Sequence, residues 1–460
     1  MKALLVNAIN IHNPTEIALK PLGLAYLASY GAQQRPGLTH AITHALTPEV
    51  LRREKPDFVG ISSTTQNYPF AVAYARLAKQ AGLPVMMGGT HISVLPESLS
   101  PHMDVAAIEE GEESYVELVD LLADGKWGPE AFRKVRGIAY REEDGTVVTT
   151  PRRPVIDPLD KLPYPDRELI YPDLEHANLH IMSSRGCPYT CSFCSSAGVW
   201  DSARLFSASY VVEEIRYLVE RWKPTHISFW DDLFVASRER LKEISEHVVA
   251  AGLHTRTKFS VTCRANLVDA DLVQYLKRMN VTDVSMGLES GNERALRYLK
   301  GEAASPETNF RAVRLLNEAG INTIGSLIVG SPDETAEDLE KTYQFLKAVP
   351  LRRVGVFILT PLPGTKVWRD AEEMGLVSAD MDFSVLAMDR GPNQIIMSKH
   401  LTRKQLQRVH KRMARLAKRK YYGGLLSKAK AHPGQILPSL LRKGNQLRDR
   451  LLTEMSAMNN

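Results

Sequence analysis

The sequence predicts an α/β protein in two parts, a doubly wound parallel sheet followed by an open barrel of six β/α units, with a helical C-terminal extension. Three observations predict it. Short apolar runs alternate with helix-like segments over residues 1–134 and again over 176–375. A Pro-rich connector, 135–175, separates the two series. Small and polar residues collect where the apolar runs end, which is where parallel sheets hold ligands.

In the first series the strands fall at Ala3–Ala8, Phe58–Ser62, Val85–Met87 and Val105–Ile108, with a less apolar strand near Leu38–Ala45. Helical patterns lie between them at Leu22–Gln34, Pro48–Glu54, Ala71–Ala81 and Ser114–Ala123. The strand ends carry Ser62, Ser63, Thr64 and Thr65, then Gly88, Gly89 and His91, then Glu110 and Gly111. Glycine there lets backbone approach a ligand, although a tight βα turn explains the Gly-Gly pair equally. The connector holds a strand pair, Gly137–Arg141 and Thr146–Thr149, turning at Glu143-Asp144-Gly145.

In the second series the strands read Leu179–Ser184, His226–Asp231, Lys258–Cys263, Asp283–Glu289, Thr323–Val329 and Val354–Leu359. Helices follow at Ala208–Glu220, Arg238–Ala251, Ala270–Met279, Glu293–Leu299, Pro306–Ala319 and Thr335–Ala348. Six units are too few for a closed eight-stranded barrel. The extension, 376–460, places Leu406, Val409, Met413, Leu416 and Ala417 at helical spacing, with Arg and Lys on the other faces. Such a helix either packs its stripe on the barrel or lies on an anionic membrane surface.

Three of the four cysteines, Cys187, Cys191 and Cys194, stand in one loop after the first strand of the second series. Their C-x3-C-x2-C spacing lets three thiolates wrap one face of a four-iron cluster and leaves one iron without a protein ligand. Zinc suits the spacing less, because closed zinc sites want four ligands, usually in two separated pairs. A disulfide would strand an odd thiol, and no signal peptide places the chain in an oxidising compartment. The fourth cysteine, Cys263, ends a strand; a buried structural thiol and a hydrogen-atom donor are its two readings.

Composition is that of an ordinary globular protein, 44% hydrophobic and 24% charged. No run reaches the ~18 apolar residues of a membrane span, so a cytoplasmic location is expected. Charge is lopsided. Residues 401–460 hold 15 basic and 2 acidic side chains, on a body that is net negative. A basic helix of this kind allows peripheral contact with a membrane, while nucleic acid lacks the interleaved aromatics that would support it.

The cysteine loop, with aromatic Phe193 before its third cysteine, resembles the signature of the radical S-adenosylmethionine (SAM) superfamily. The first series resembles the Rossmann-like cobalamin-binding domain that many of these enzymes carry. The matching segments are Pro21–Ala28, Pro56–Ser62, Gly88–Glu97 and Glu110–Ser114. The resemblance implies a [4Fe-4S] cluster on the three cysteines, a radical SAM partial barrel, and reductive cleavage of SAM to a 5′-deoxyadenosyl radical. It implies that SAM is held by Phe193, by Asp231 or Asp232, by Arg264 facing its carboxylate, and by Glu289, Ser326 and Gly330. An N-cap for the Asp pair and a buried ion pair for Arg264 are the structural readings of the same residues. Cobalamin would be held by the small and polar strand ends named above, His91 included. The lower-ligand signature D-x-H-x-x-G is absent, although His12 stands in a degenerate echo of it, and relatives without the motif hold cobalamin with its base detached.

By the same resemblance the reaction is methylation of an unactivated carbon through methylcobalamin. A non-methylating cyclisation, oxidation or rearrangement is the alternative, and a cobalamin or redox sensor a distant one. RNA methylthiolation fails on arithmetic, since a second cluster needs more cysteines than Cys263. Expected partners are a small-molecule, lipid or tetrapyrrole substrate and a reducing protein such as flavodoxin or ferredoxin.

Overall fold

The computed structural model describes residues 1–431 apart from 172, 175–176, 352 and 388–393, with side chains in the last helix described to residue 424. The first sheet has seven strands in the order β2-β1-β3-β4-β5-β6-β7. These are β1 (Lys2–Ala8), β2 (Thr39–Thr43), β3 (Phe58–Ser63), β4 (Val85–Gly88), β5 (Val105–Ala107), β6 (Ile138–Arg141) and β7 (Val147–Thr149). β1 to β5 are parallel, and β1 is apolar and buried from Ala3 to Val6 because helices cover both faces of the sheet. The predicted strand pair of the connector is not a free hairpin. Its first strand pairs antiparallel with β5, so the sheet runs on to residue 149.

The second sheet has six parallel strands in sequential order, β8 (Asn178–Ile181), β11 (His226–Phe229), β12 (Lys258–Cys263), β13 (Val281–Glu289), β14 (Asn322–Val329) and β15 (Arg353–Ile358). The expected helices lie between them. The two short strands β9 (Ser184–Arg185) and β10 (Arg204–Leu205) pair antiparallel and bracket the cysteine loop. Strand ends therefore converge on one side, where the loop sits.

The extension behaves differently in its two halves. A 3₁₀ turn at Phe383–Leu386 docks on the first domain, where Phe383 and Leu386 join a core with Ile92 and Tyr68. The helix Arg403–Ala431 then lies along β15. Its stripe is used up on the barrel: Leu406 and Met413 are fully buried, Ala417 is buried, and Val409 and Leu416 pack beside them. The packing reading of this helix holds for its described side chains, and the basic residues beyond 431 lie outside the described residues. Among the described residues no helix is long and apolar enough to cross a membrane.

Removing the Leu406 side chain opens a cavity between helix and barrel. Leu406→Ala is expected to lower unfolding stability by about 3 kcal/mol, read as a fall in the melting temperature of the full chain.

Candidate functional site

The cysteine loop leaves β9 at Arg185 and is pinned at its midpoint. Ser192 N–H donates to the Leu299 carbonyl at 2.9 Å, and its own carbonyl accepts from Val367 N–H at 3.0 Å. Cys194 N–H closes a tight turn on the Cys191 carbonyl at 3.1 Å. All three thiols are partly exposed and unpaired. Burial raises Cys187 and pushes Cys194 up to about 11, and the neighbouring Cys191 sulfur raises both further. Among the described residues no three such side chains converge on a point as they would around one ion. Three free thiols in one tight loop fit an iron–sulfur cluster, which would bind by displacing their protons.

Beside the loop a cavity is lined by Phe193, Glu289, Ser326, Ile328, Phe357 and Thr360. Glu289 reaches it through a kink. The β13 register shifts between Gly287 and Glu289, and Glu289 adopts a left-handed φ of 57°. A Cβ at Gly287 would lie 1.9 Å from Glu289 Oε1, so the glycine makes room for the carboxylate. Burial raises the Glu289 carboxyl, countered by the Lys300 ammonium 3.9 Å away and by Ser326. A desolvated acid facing apolar walls suits a cationic, hydroxyl-bearing nucleoside.

The Asp pair divides. Asp231 is buried and committed to the fold: it accepts from Ser183 N–H at 2.6 Å and from Ser183 Oγ at 2.5 Å. It is thus no free partner for SAM, and it caps no helix, since Ser237 caps the next one. Asp232 is exposed, accepts from Ser196 Oγ at 2.7 Å, and acts electrostatically on Cys187 and Cys194. Arg264 does not point at open space either. It donates to Cys191 Sγ and to the Lys300 carbonyl. Gly330 is closed over as well: a Cβ there would lie 2.7 Å from Leu406 Cδ2, and its N–H is held by Glu334 at 2.7 Å. Cys263 is buried and its thiol pushed up to about 12 by burial, which supports the structural reading.

A second cavity, about 230 Å3, opens at the ends of β3 and β4. Ser62, Gly88, Gly89, Glu110 and Gly111 line it from the first domain; Met182, Arg185 and Trp200 line it from the barrel. Gly88 presents an open face, with nothing within 4 Å of an added Cβ. Gly89, at φ 95°, sits 2.7 Å by its Cβ position from the Ser63 carbonyl, so only glycine fits. The open strand ends and apolar floor fit a large flat cofactor lying on the sheet. Ser63 and Thr65 are instead buried, Thr64 is exposed, and none of the three lines the cavity. His91 is a core residue. Its ring packs 4.0 Å from Tyr68 and 4.7 Å from Phe383, Nε2 meets Ser98 Oγ at 3.0 Å, and burial lowers it to about 3. His12 is exposed in the turn after β1 and lies outside the cavity lining.

Several residues went unforeseen. Arg185 bonds Glu110 at 2.6 Å and Glu112 at 2.5 Å, and Arg204 bonds Glu110 at 2.8 Å. Burial alone would raise Glu110, but Arg204 and Arg185 outweigh it and hold the carboxyl below its ordinary range. Lys300 stands beside the cysteine loop, and Tyr189 lies within it. Glu110 and Tyr189 fall in segments the sequence singles out, but their pairing with Arg185, Arg204 and Arg264 does not show there.

Residues 181–346 match the radical SAM superfamily model, and 16–119 match the B12 binding domain model. An uncharacterized methyltransferase of Pyrococcus horikoshii is 32% identical over 381 residues, 78% of this chain and 81% of that protein. The anaerobic magnesium-protoporphyrin IX monomethyl ester cyclase of Rubrivivax gelatinosus is 29% identical over 398 residues, 81% of this chain and 71% of its own. A radical SAM methyltransferase from Kitasatospora setae, solved with tryptophan and a SAM analogue, shares the fold at a TM-score of 0.66 and 19% identity, covering 82% and 77%.

Asp232→Asn should weaken SAM binding about tenfold, or about 1.4 kcal/mol, with the melting temperature unchanged, whereas Asp231→Asn should chiefly lower the melting temperature. Titration calorimetry and thermal melts separate the two. Gly88→Ala adds a methyl with no protein atom within 4 Å of it, so retained cobalamin should fall while the cobalamin-free protein melts as before.

Proposed function

The chain belongs to the radical SAM enzymes that carry a B12-binding domain, and from that premise we propose that it methylates an unactivated carbon of a small-molecule substrate. The observation that carries the proposal is the second cavity. Its walls come from both domains, with Arg185 and Trp200 adjoining the cysteine loop and Gly88 and Gly111 closing the first sheet. Methyl donor and radical source can then act on one substrate without its release.

When bound, the cluster supplies the electron that cleaves SAM, and methylcobalamin supplies the methyl group. The chain's residues bind and orient. Cys187, Cys191 and Cys194 would hold the cluster. Asp232 and Glu289 take the amino group and ribose hydroxyls of SAM, and Phe193, Ile328 and Phe357 provide apolar walls for its base. Ser62, Gly88, Gly89 and Gly111 bring backbone and small side chains against the corrin. Among the described residues no histidine lines this cavity. Electrons come from a small reducing protein of the flavodoxin or ferredoxin kind. A tetrapyrrole is the substrate class that the cyclase relative suggests, and that relative also supports a non-methylating reaction as the second reading.

Reconstituted anaerobically with cobalamin, a strong reductant and SAM, the full chain should yield S-adenosylhomocysteine and methylcobalamin, together with 5′-deoxyadenosine. Formation of 5′-deoxyadenosine with no S-adenosylhomocysteine would decide for the non-methylating reaction. Mass analysis of both nucleosides reads the outcome.

A further inference from the structure

Arg264 follows directly on β12, and its guanidinium is fixed on every side. Nε donates to Asn266 Oδ1 at 3.0 Å and Nη2 to the Lys300 carbonyl at 2.8 Å. The remaining arm, Nη1, donates to Cys191 Sγ at 3.2 Å. The plane lies over the Tyr189 ring, 3.9 Å from its centroid, and Tyr189 belongs to the cysteine loop itself. The side chain is 6% exposed. Arginine thus grips the loop twice, once through the ring of Tyr189 and once through the sulfur of Cys191. Its fork is occupied by groups that do not move with a ligand.

A fixed cation donating a hydrogen bond to a cluster thiolate favours the form with more negative charge. For an iron–sulfur cluster that is the reduced form, so the potential rises; hydrogen bonds to cluster sulfurs are among the levers that set it. We propose that Arg264 is a tuning and positioning residue of the cluster, which raises its reduction potential through the Nη1–H···Sγ bond to Cys191 and holds the loop through Tyr189. The role differs from that of a partner for the SAM carboxylate, which the sequence pattern alone assigns to it. Lysine cannot replace it, because a single ammonium cannot hold Asn266, the Lys300 carbonyl and Cys191 while lying flat on a ring. The inference depends on an iron–sulfur cluster at the three cysteines and not on which radical reaction follows.

The test is a redox titration followed by electron paramagnetic resonance, without SAM, on the anaerobically reconstituted full chain and its Arg264→Gln and Arg264→Lys variants. Iron and sulfide content is measured first, so that a wild-type chain lacking the cluster would sink the cluster assignment itself. Arg264→Gln should load normally, and its ratio of reduced to oxidised cluster at a fixed potential should fall about tenfold, which is about 59 mV for a one-electron couple. Arg264→Lys keeps the charge but loses the fork, so its midpoint should lie between the two. SAM affinity should stay within about twofold, well under 1 kcal/mol. A fully loaded Arg264→Gln variant with an unchanged midpoint overturns the proposal, and weaker SAM binding in that variant would return Arg264 to the carboxylate. Failure of both variants to load assigns the residue to loop assembly and overturns it equally.

Discussion

The arrangement of this protein depends on a buried cluster of charge at the junction of its two sheets. Arg185, two residues before the first cluster cysteine, is bonded to both Glu110 and Glu112, and Arg204 shares Glu110. Glu110 also accepts the Ile156 backbone N–H at 2.8 Å, which draws the connector into the same knot. All four side chains are about nine-tenths buried or more. Such a network adds little net stability, because desolvating each charge offsets most of the attraction. Leaving one member unpartnered, however, costs about 3–5 kcal/mol. Its consequence is geometric. The pairs tie Glu110 and Glu112 of the first domain to Arg185 and Arg204 of the second, and so hold the cavity at the ends of β3 and β4 against the cysteine loop.

The second constraint acts inside the barrel, where backbone irregularity aims side chains that regular strands would misdirect. On a regular strand Glu289 would face opposite to Leu288; with the register shift and the left-handed φ its carboxylate lines the cavity beside Phe193 and Ser326. Lys300 answers it from the following helix, donating to the Gly287 carbonyl at 2.5 Å. The same residue's carbonyl holds Arg264, which holds Cys191. One short stretch therefore links the cavity at Glu289 to the cysteine loop, and strain at Glu289 is tolerated because the partners around it are engaged.

Most of the architecture could be read from the sequence, because apolar periodicity and strand-end chemistry are local. The helix Leu22–Gln34 and the strand Lys258–Cys263 lie where the pattern puts them, and the cysteine triplet falls after the first strand of its series. What the pattern cannot give is direction. Position at a strand end says that a residue is near the site, while the pleat and the turn decide which way it faces. That is why His91 faces the Tyr68–Phe383 core instead of the cofactor, and why Asp231 turns in to Ser183 while its neighbour Asp232 turns out. Arg264 likewise lies at the predicted strand end, with its guanidinium bonded to Asn266, Cys191 and the Lys300 carbonyl. Arg185 was invisible for another reason: its two carboxylate partners are more than 70 residues away, and one sequence offers no means of pairing them.

The extension shows why a basic helix need not imply an anionic surface. A six-stranded open barrel leaves sheet edges, and an edge exposes backbone groups that need partners. β15 is one such edge, and His410 Nε2 donates to its Val356 carbonyl at 2.8 Å. The helix Ala336–Ala348 ends with unpaired carbonyls, as every helix does. Lys420 bonds those of Leu346 at 2.6 Å and Val349 at 2.5 Å, with Lys347 at 3.1 Å. Arg412 stacks on Tyr343 at 3.7 Å and pairs with Glu340. Each cation satisfies a group that the open barrel would otherwise leave bare, while Leu406 and Met413 seal the apolar seam between them. The extension thus does for one side of the molecule what Arg185 does at its centre. With Phe383 on the first domain and Leu406 over Gly330, it spans both domains from outside and leaves the shared cavity as the place where they meet around a ligand.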